Sequence, residues 1–136
     1  MTKEQIFDFM SNESLAVLGS ISADGVPQSA LVGIAVSPDL EIIFDTVKTS
    51  RKYRNLIANP AASFVVGTTR EVTVQFEGVA TELTGGELAR YQKIYFAKWP
   101  DGPSRLRWPG ICYFVVRPKW IRYSDFDKRP PQIVEI

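Results

Sequence analysis

The sequence predicts a mainly β, α+β protein, built as a small antiparallel barrel with two or three flanking helices. Three observations support this prediction. Short runs of apolar or alternating residues suited to β-strands recur along the chain, tight turns such as Asp24-Gly25 join them, and only a few short segments show helical periodicity. Short strands joined in this way are typical of an antiparallel sheet that curls on itself.

Length and composition indicate a single domain over residues 1–136. Of the 136 residues, 45% are hydrophobic and 23% are charged, which suits one ordinary core. The net charge of +1 argues against nucleic-acid binding, which usually requires a strongly basic domain. No apolar stretch is long enough to span a membrane, and the N-terminus is polar rather than signal-like. We therefore expect no nucleic-acid or membrane partner and a cytoplasmic location.

Histidine is absent and cysteine occurs once. The lack of histidine excludes Ser-His-Asp and Cys-His catalysis, His-ligated haem iron and His-containing zinc sites within the chain, and no metal site is predicted. Cys112 lies in an apolar run and can form no internal disulfide, which fits a reducing compartment and a buried thiol. No catalytic residue can be named from this pattern, so any redox chemistry is expected to come from a bound cofactor.

The chain begins with a predicted helix that packs over the barrel. Thr2 and Gln5 form a capping-box pattern, and Ile6, Phe9 and Met10 make an apolar stripe on a helix that ends near residue 12. Three strands follow, separated by a hairpin turn and a Ser-Pro-Asp turn. The strands are predicted over 15–23, 27–36 and 42–46, and the turns over 24–25 and 37–39.

The third strand runs into a short helix. Ser50 is a good N-cap for this helix, and Tyr53, Leu56 and Ile57 give it an apolar face. Pro60 ends the helix, because a proline disfavours the helical conformation of the residue before it.

The positive charge at the start of this helix is unusual. Arg51 and Lys52 occupy the first turn, where the helix dipole is positive and each cation should cost roughly 0.3 to 1 kcal/mol. The chain carries no acidic residue between Asp45 and Glu71, so no nearby carboxylate in the sequence neutralises them. A phosphate held by the helix N–H groups, the Ser50 hydroxyl and the two cations would reverse the sign of this energy. The alternative is a solvated basic helix end.

The C-terminal half is predicted to contain two strands, a longer helix and a closing strand pair. Val72, Val74 and Phe76 alternate with polar residues in a half-buried strand, Gly78 marks a bend or bulge, and Thr84 is placed to cap the helix. The predicted ranges are 61–67 and 72–80 for the strands, 84–99 for the helix, and 111–117 and 120–124 for the strand pair, with a turn at 118–119. The tail beyond 125 is expected to lie extended over the surface or against a partner subunit.

The segment 99–110 is predicted to be an ordered loop, since it holds two Trp, three Pro and two Gly. Its aromatic residues allow two interpretations. They could pack over the mouth of the barrel, or the loop could form a wall of the substrate pocket, because such pockets combine aromatic surface with a few placed cations. In the second case the pocket residues would be Trp99, Arg105, Arg107 and Trp108, and a planar or anionic substrate would be the natural guess.

Several of these segments together resemble the pyridoxamine 5′-phosphate oxidase-like proteins, the FMN-binding split β-barrel family. The resemblance rests first on the run Ile43-Phe44-Asp45-Thr46, then Ser50-Arg51-Lys52, Leu56 and Asn59-Pro60-Ala61. The strand that begins at Pro27, the strand 72–80 and the segment 118–123 follow in the order that the family has. The similarity covers residues 15–123.

This resemblance implies a split barrel that forms a homodimer with two FMN molecules at the subunit interface. Arg51 and Lys52, with Ser50, would bind the FMN phosphate, and Asp45 and Thr46 would lie beside the ribityl chain. Backbone groups of Ala30, Leu31 and Val32 would meet the flavin ring, and the side chain of Thr73 or Gln75 would donate or accept a hydrogen bond there.

The chain departs from the family at its C-terminus. True pyridoxamine 5′-phosphate oxidases carry an Arg-x-His segment that holds the substrate, and this chain has no histidine, so a vitamin B6 substrate is not expected. The sequence therefore favours an FMN-dependent oxidoreductase with an unidentified small-molecule substrate. Two alternatives stay open: a non-catalytic flavin-binding or stress-associated protein, and a deazaflavin-dependent reductase, which is less favoured because the Ser-Arg-Lys segment suits an FMN phosphate.

Overall fold

The computed structural model of the protein describes all residues 1–136. The chain forms four helical segments and eight strands. In order they are α1 (Lys3–Ser11), β1 (Leu15–Ile21), β2 (Pro27–Gly33), β3 (Ala35–Val36), β4 (Ile42–Val47), α2 (Arg51–Ala58), β5 (Ala61–Val66), β6 (Val72–Glu82), α3 (Gly85–Lys98), a 3₁₀ helix (Gly102–Arg107), β7 (Ile111–Asp125) and β8 (Gln132–Glu135). None of the helices combines the length and apolar character needed to cross a bilayer.

All strands belong to one antiparallel sheet, in the order β2-β1-β5-β6-β7-β4-β3, with β8 added to β7. The sheet curls so that its edge strand β2 comes to lie beside β4 without pairing to it. The result is an antiparallel barrel that is open, or split, between these two strands. The predicted mainly β, α+β split barrel with flanking helices is confirmed.

The barrel interior is filled by aromatic residues from adjacent strands. Phe44 stacks on its cross-strand partner Phe114 with ring centroids 5.4 Å apart, and Phe64 meets its partner Phe76 edge to face at 5.8 Å. All four are at most 2% exposed. Full burial of one such side chain contributes about 1.5 to 3 kcal/mol, so this aromatic row is a main stabilising element of the barrel.

The predicted capping box of α1 is confirmed. The backbone N–H of Gln5 donates to Thr2 Oγ1 at 3.2 Å, and the backbone N–H of Thr2 donates to Gln5 Oε1 at 2.7 Å. Ile6 and Met10 are fully buried, and Phe9 meets Tyr123 edge to face at 5.6 Å. The helix therefore packs over the barrel as expected.

The predicted second strand, 27–36, is two strands in the structure. Ile34 still donates its N–H to the Ser14 carbonyl, within the first hairpin. Ala35 and Val36 then leave β1 and pair with Ile43 and Ile42 of β4. The strand breaks because the chain changes partner, which the pattern of apolar residues does not indicate.

The turn predicted at Pro118-Lys119 is wrong, because β7 continues through it as one 15-residue strand. Gly78 of β6 pairs with Pro118 and Glu77 pairs with Trp120, so Lys119 is an extra residue in β7 and forms a β-bulge. A proline is tolerated here because a bulge interrupts the ladder of hydrogen bonds. The predicted irregularity at Gly78 is confirmed, and a Cβ atom there would lie only 2.3 Å from the Arg117 carbonyl oxygen.

Two further predictions about the C-terminal half need refinement. The predicted second helix is present as α3, but the Thr84 side chain makes no capping hydrogen bond. Gly85, at φ +60°, takes the chain into the helix instead, in a conformation that favours glycine. The predicted extended tail is only partly present: residues 126–130 form turns and bends, and residues 132–135 are extended and pair with β7 as the edge strand β8.

Candidate functional site

The start of α2 lies at the end of β4, and two hydroxyl groups join these elements. Ser50 accepts a hydrogen bond from the backbone N–H of Tyr53 at 3.2 Å, which confirms the predicted N-cap. The Ser50 and Thr46 hydroxyl oxygens are 2.9 Å apart and form a hydrogen bond. Thr46 is therefore fixed beside the first turn of α2.

Arg51 and Lys52 have no neutralising partner within the chain. No carboxylate oxygen lies within 4.0 Å of either side chain. Their backbone N–H groups make no hydrogen bond to another group of the chain. The first turn of α2 thus presents two cations and two free N–H groups in the same place, which is the arrangement that binds anions at helix N-termini.

Two other cations of the acid-free stretch do find distant carboxylates. Lys48 Nζ lies 3.9 Å from Glu82 Oε2, and Arg70 pairs with Asp127 at 3.0 Å. The number of unpaired cations in this region is therefore smaller than the lack of nearby acidic residues in the sequence suggests. Within it, the cations of the first helical turn are among those that stay unpaired.

A cavity of about 240 Å³ opens in front of this helical turn. Six of its seven lining residues are polar or basic, and none is acidic. They are Ser20, Gln28, Ser29, Ala30, Arg51, Lys52 and Asn55. The cavity lies between α2 and the first hairpin, and we refer to it as the α2 cavity.

Asn55 joins the two sides of the α2 cavity. Its Nδ2 donates to Ser20 Oγ at 3.0 Å and to Gln28 Oε1 at 2.9 Å. Ser20 and Gln28 face each other across β1 and β2. Sequence reasoning missed these three residues, although one signal was available: an asparagine next to Leu56 on a short helix is a poor helix former that needs hydrogen-bond partners when it is buried.

The backbone of β2 offers polar groups to the split of the barrel at alternate residues. The hydrogen bonds from Ser22 N–H to Val26 O and from Ile34 N–H to Ser14 O fix the ladder between β1 and β2. In that register Ala30 and Val32 bond to β1, whereas the N–H and C=O groups of Leu31 face the open edge. Of the three residues predicted to meet the flavin ring through their backbone, Leu31 alone is turned that way.

Asp45 and Thr46 do not lie on the same side of the sheet, since successive residues of a strand point to opposite faces. Thr46 is next to Ser50. Asp45 lies under α3, where its Oδ1 accepts from the Tyr95 hydroxyl at 3.1 Å and its Oδ2 accepts from Arg105 Nε at 2.9 Å. The structure therefore brings Thr46, but not Asp45, to the N-cap of α2, although neither residue lines the α2 cavity.

The Trp-rich segment contributes two of its four predicted pocket residues to a second cavity of about 200 Å³. Trp99 and Arg105 line this cavity together with Leu15, Gly33, Asp45 and Tyr95. Arg107 and Trp108 are exposed and do not line it. The indole N–H of Trp99 donates to the Ile34 carbonyl at 2.9 Å, which fixes the indole ring against β2.

Arg105 is a paired cation rather than a free one. Its guanidinium binds Asp45 Oδ2 and Asp101 Oδ2, each at 2.9 Å, and its side chain is only 15% exposed. Burial alone would lower the pKa of Arg105, but the hydrogen bond and the charge of Asp45 raise it above its ordinary value. Burial, followed by the charge and hydrogen bond of Asp45, raises the pKa of Tyr95 and keeps its hydroxyl protonated.

Thr73 and Gln75 point outwards from β6, as their alternation with buried Val72, Val74 and Phe76 requires. Gln75 continues a row that runs across the sheet through Val65, Val17 and Leu31. Three strand spacings separate β6 from β2, or roughly 14 Å along the sheet. Within one chain the structure does not bring Thr73 or Gln75 together with the α2 cavity.

Comparison with known proteins places these features in context. The family model for pyridoxamine 5′-phosphate oxidase matches residues 2–125. No curated protein gives a significant match to the chain. Many solved structures are similar, all of those described below at less than 25% identity, a level that supports the fold alone.

Three solved structures illustrate the range. A heme-binding protein from Mycobacterium smegmatis has a TM-score of 0.82 at 16% identity, and the match covers 97% of this chain and 57% of that one. General Stress Protein 26 from Bacillus anthracis has a TM-score of 0.73 at 20% identity, covering 98% of both chains. A pyridoxamine 5′-phosphate oxidase-related, FMN-binding protein from Nostoc punctiforme has a TM-score of 0.70 at 12% identity, covering 96% and 84%. The chain thus spans little more than half of the mycobacterial protein.

Proposed function

The chain belongs to the pyridoxamine 5′-phosphate oxidase family, and from this membership we propose that it binds FMN and acts as an FMN-dependent oxidoreductase on a small molecule. The observation that carries the proposal is the α2 cavity. There, Arg51 and Lys52 stand unpaired at a helix N-terminus, among polar side chains and without a carboxylate.

The α2 cavity fits a phosphate group in charge and in hydrogen bonding. A phosphate monoester is close to dianionic at neutral pH and accepts hydrogen bonds only. The two cations would balance its charge, and the free N–H groups of the first helical turn would donate to its oxygens. Binding would also remove the unfavourable interaction between these cations and the helix dipole.

The rest of the flavin would extend from the α2 cavity along the split of the barrel. Thr46 and Ser50 lie at the strand end, where they would bind the ribityl hydroxyls and the phosphate. The open-edge N–H and C=O groups of Leu31 would bind the polar rim of the ring. When bound, FMN supplies the hydride chemistry, and the protein supplies binding and orientation.

Heme is a weaker candidate, although one structurally similar protein is described as heme-binding and another as a heme storage protein. The chain has no histidine to serve as an axial ligand. Its only thiol, Cys112, is buried, and burial raises the pKa of that thiol to about 11, so it is not a thiolate at neutral pH. These features favour a phosphate-bearing flavin over an iron porphyrin.

We further propose that the protein forms a homodimer through the outer face of β2, β1 and β5. Leu31, Leu15 and Val65 are exposed by 62%, 43% and 38%. Leu31 and Val65 flank the half-buried Val17 on the two adjacent strands, and Leu15 lies two residues before Val17 on β1. Such a row of exposed apolar residues is typical of a surface covered by a partner. A second copy would cover the open edge beside Leu31 and would bring its own Thr73 and Gln75 towards the flavin.

The second cavity favours a planar substrate over an anionic one. Of the two arginines predicted for the substrate pocket, only Arg105 lines this cavity, and its charge is already balanced by Asp45 and Asp101. The walls formed by Trp99 and Tyr95, whose rings are stacked 6.5 Å apart, suit a flat molecule. With no C-terminal histidine in the chain, we propose that the B6 phosphates are not its substrates.

The test is a set of titrations of the purified protein with FMN, riboflavin, a deazaflavin and hemin, followed by absorbance. We expect tight FMN binding and much weaker riboflavin binding, because riboflavin lacks the phosphate. Equal affinity for both flavins, or stronger binding of hemin or the deazaflavin, would contradict the proposal. NADH and NADPH are then added under anaerobic conditions to the loaded protein. Reduction supports an oxidoreductase, whereas stable oxidised flavin with both nucleotides would favour the non-catalytic alternative.

A further inference from the structure

Asn55 is a buried polar residue of α2, and its carboxamide forms hydrogen bonds with both strands of the first hairpin. Its residue exposure is 7%, and that of Ser20 is 5%. Both N–H groups of Nδ2 are used, one to Ser20 Oγ at 3.0 Å and one to Gln28 Oε1 at 2.9 Å. One amide group therefore determines how two residues of the α2 cavity are hydrogen-bonded.

The direction of these two hydrogen bonds has a consequence for the cavity. Because Ser20 Oγ accepts from Asn55, its hydroxyl proton is left for another acceptor. Because Gln28 Oε1 accepts from Asn55, the Gln28 Nε2 group keeps two N–H donors that have no partner in the chain. Ser20 and Gln28 thus present donors to the space that they line together with Arg51 and Lys52.

We propose that Asn55 is a positioning residue that sets the hydrogen-bond polarity of the α2 cavity and so makes it selective for a phosphate monoester. This inference rests on the proposed binding of FMN through its phosphate. With Asn55 as the donor, Ser20 and Gln28 direct their donors into a cavity that already holds two cations and no carboxylate, which suits a group that accepts hydrogen bonds and carries negative charge. The terminal hydroxyl of riboflavin is uncharged and gains much less from the same surroundings.

The test compares two substitutions of Asn55. Asn55→Asp keeps the shape but replaces the donating NH₂ by an acceptor, so Ser20 and Gln28 must turn their donors towards Asp and their lone pairs towards the cavity. Asn55→Leu removes the donor without adding charge and leaves Ser20 and Gln28 free to turn either way. We expect FMN affinity to fall about 10- to 100-fold in Asn55→Asp and less in Asn55→Leu, while riboflavin affinity changes less than about threefold.

The decisive quantity is the ratio of FMN to riboflavin affinity, since a purely structural role would weaken both flavins alike. The ratio should also fall, by a smaller factor, in Asn55→Leu, which adds no charge and so separates the loss of the donors from repulsion of the phosphate by a new carboxylate. Asn59→Asp is the matched control, because it adds the same charge at the end of the same helix and keeps the oxygen that accepts from the Ala61 N–H at 3.1 Å. It should leave the ratio unchanged. Thermal unfolding without ligand shows whether each variant is folded.

Gln28→Glu keeps the inference testable if Asn55→Asp does not fold. It removes the free N–H groups of a half-buried side chain and leaves Asn55 in place, so the affinity ratio should also fall. An Asn55→Asp protein with the wild-type ratio, or a folded Gln28→Glu protein with that ratio, would overturn the role of Asn55 alone. Wild-type protein that does not prefer FMN would instead overturn the proposed function, and the role of Asn55 with it.

Discussion

Tyr95 and Asp45 meet across the contact between α3 and β4, where the Tyr95 hydroxyl donates to Asp45 Oδ1 at 3.1 Å. The same arrangement recurs one helical turn earlier, where the Tyr91 hydroxyl donates to Glu41 Oε2 at 2.8 Å. Each carboxylate also binds an arginine of a different segment, Asp45 through Arg105 and Glu41 through Arg117. Two polar triads therefore hold α3 on the sheet in one register.

Removing the carboxylate of the first triad should destabilise the fold. Asp45→Ala removes the less exposed of the two carboxylates that bind Arg105 and also the acceptor of the Tyr95 hydroxyl, and we expect the free energy of unfolding to fall by about 3 kcal/mol. Urea denaturation measures this change. Asp101→Ala is the control, because that carboxylate binds the same arginine but is 66% exposed, and it should cost at most about 1 kcal/mol. Equal effects of the two substitutions would show that the buried pair is not important for stability.

Neutralising the cations of the α2 cavity should abolish most flavin binding. Arg51→Ala with Lys52→Ala removes two charge-assisted contacts of about 1.5 to 3 kcal/mol each, which corresponds to a loss in FMN affinity on the order of a hundredfold to ten-thousandfold. Fluorescence titration with FMN measures the change. The control is Arg54→Ala with Lys93→Ala, which removes the same charge from exposed positions that do not line the cavity. Unchanged FMN affinity in the Arg51→Ala, Lys52→Ala variant would show that the phosphate binds elsewhere.

A charge in the exposed apolar row should prevent dimerisation. Leu31→Asp places a carboxylate at the most exposed residue of that row, where a second copy would have to bury it, so we expect a monomer in light scattering at micromolar concentration. Val26→Asp is the matched control, since Val26 is 52% exposed in the same hairpin but lies in its turn rather than on the sheet face. A wild-type monomer that binds FMN tightly would exclude an interface-built site.

Stability should decrease at alkaline pH because burial raises the pKa of Cys112 from 9.0 to about 11. Between these values the unfolded thiol loses its proton while the folded one keeps it, so the free energy of unfolding falls as pH rises through this window. The two-unit shift corresponds to at most about 3 kcal/mol. Urea denaturation at pH 8 and pH 11 should show a smaller decrease for Cys112→Ala than for the wild type. Equal decreases would assign the effect to other groups, such as the buried tyrosines.

Sequence reasoning succeeded where the signal is local. The Thr2-Gln5 capping box and the Ser50 cap each depend on residues three apart, and both are present as predicted. It failed at Pro118-Lys119, where a dipeptide typical of turns lies inside a long strand. The β-bulge there is stabilised by Gly78 on the neighbouring strand, and a single-chain pattern contains no information about that partner.

In the candidate site, too, local features could be predicted and contacts between distant segments could not. Arg51 and Lys52 were found because their unfavourable position on the helix can be read from the chain itself. The sequence also contained the information that Asp45 and Thr46 point to opposite faces of the sheet, because side chains alternate along a strand. The partners of Asp45, by contrast, are Tyr95 and Arg105, which lie more than forty residues away in the chain and meet it only after the barrel has closed. The partners of Asn55, Ser20 and Gln28, are also distant in the chain, although the buried position of an asparagine on a short helix was a local signal.

The position of β7 in the chain also determines when the protein can fold during its synthesis. β7 pairs with β6 from Phe114 to Asp125, with β4 through its first half and with β8 near its end, yet it is complete only at Asp125. Synthesis proceeds at about 5–20 residues per second, so the edge of β4 that pairs with β7 stays unpaired for on the order of several seconds after β4 has been made. Open strand edges of a nascent chain invite pairing with other chains. Substitutions that slow the docking of β7 should therefore reduce the yield of protein in the cell before they change its activity.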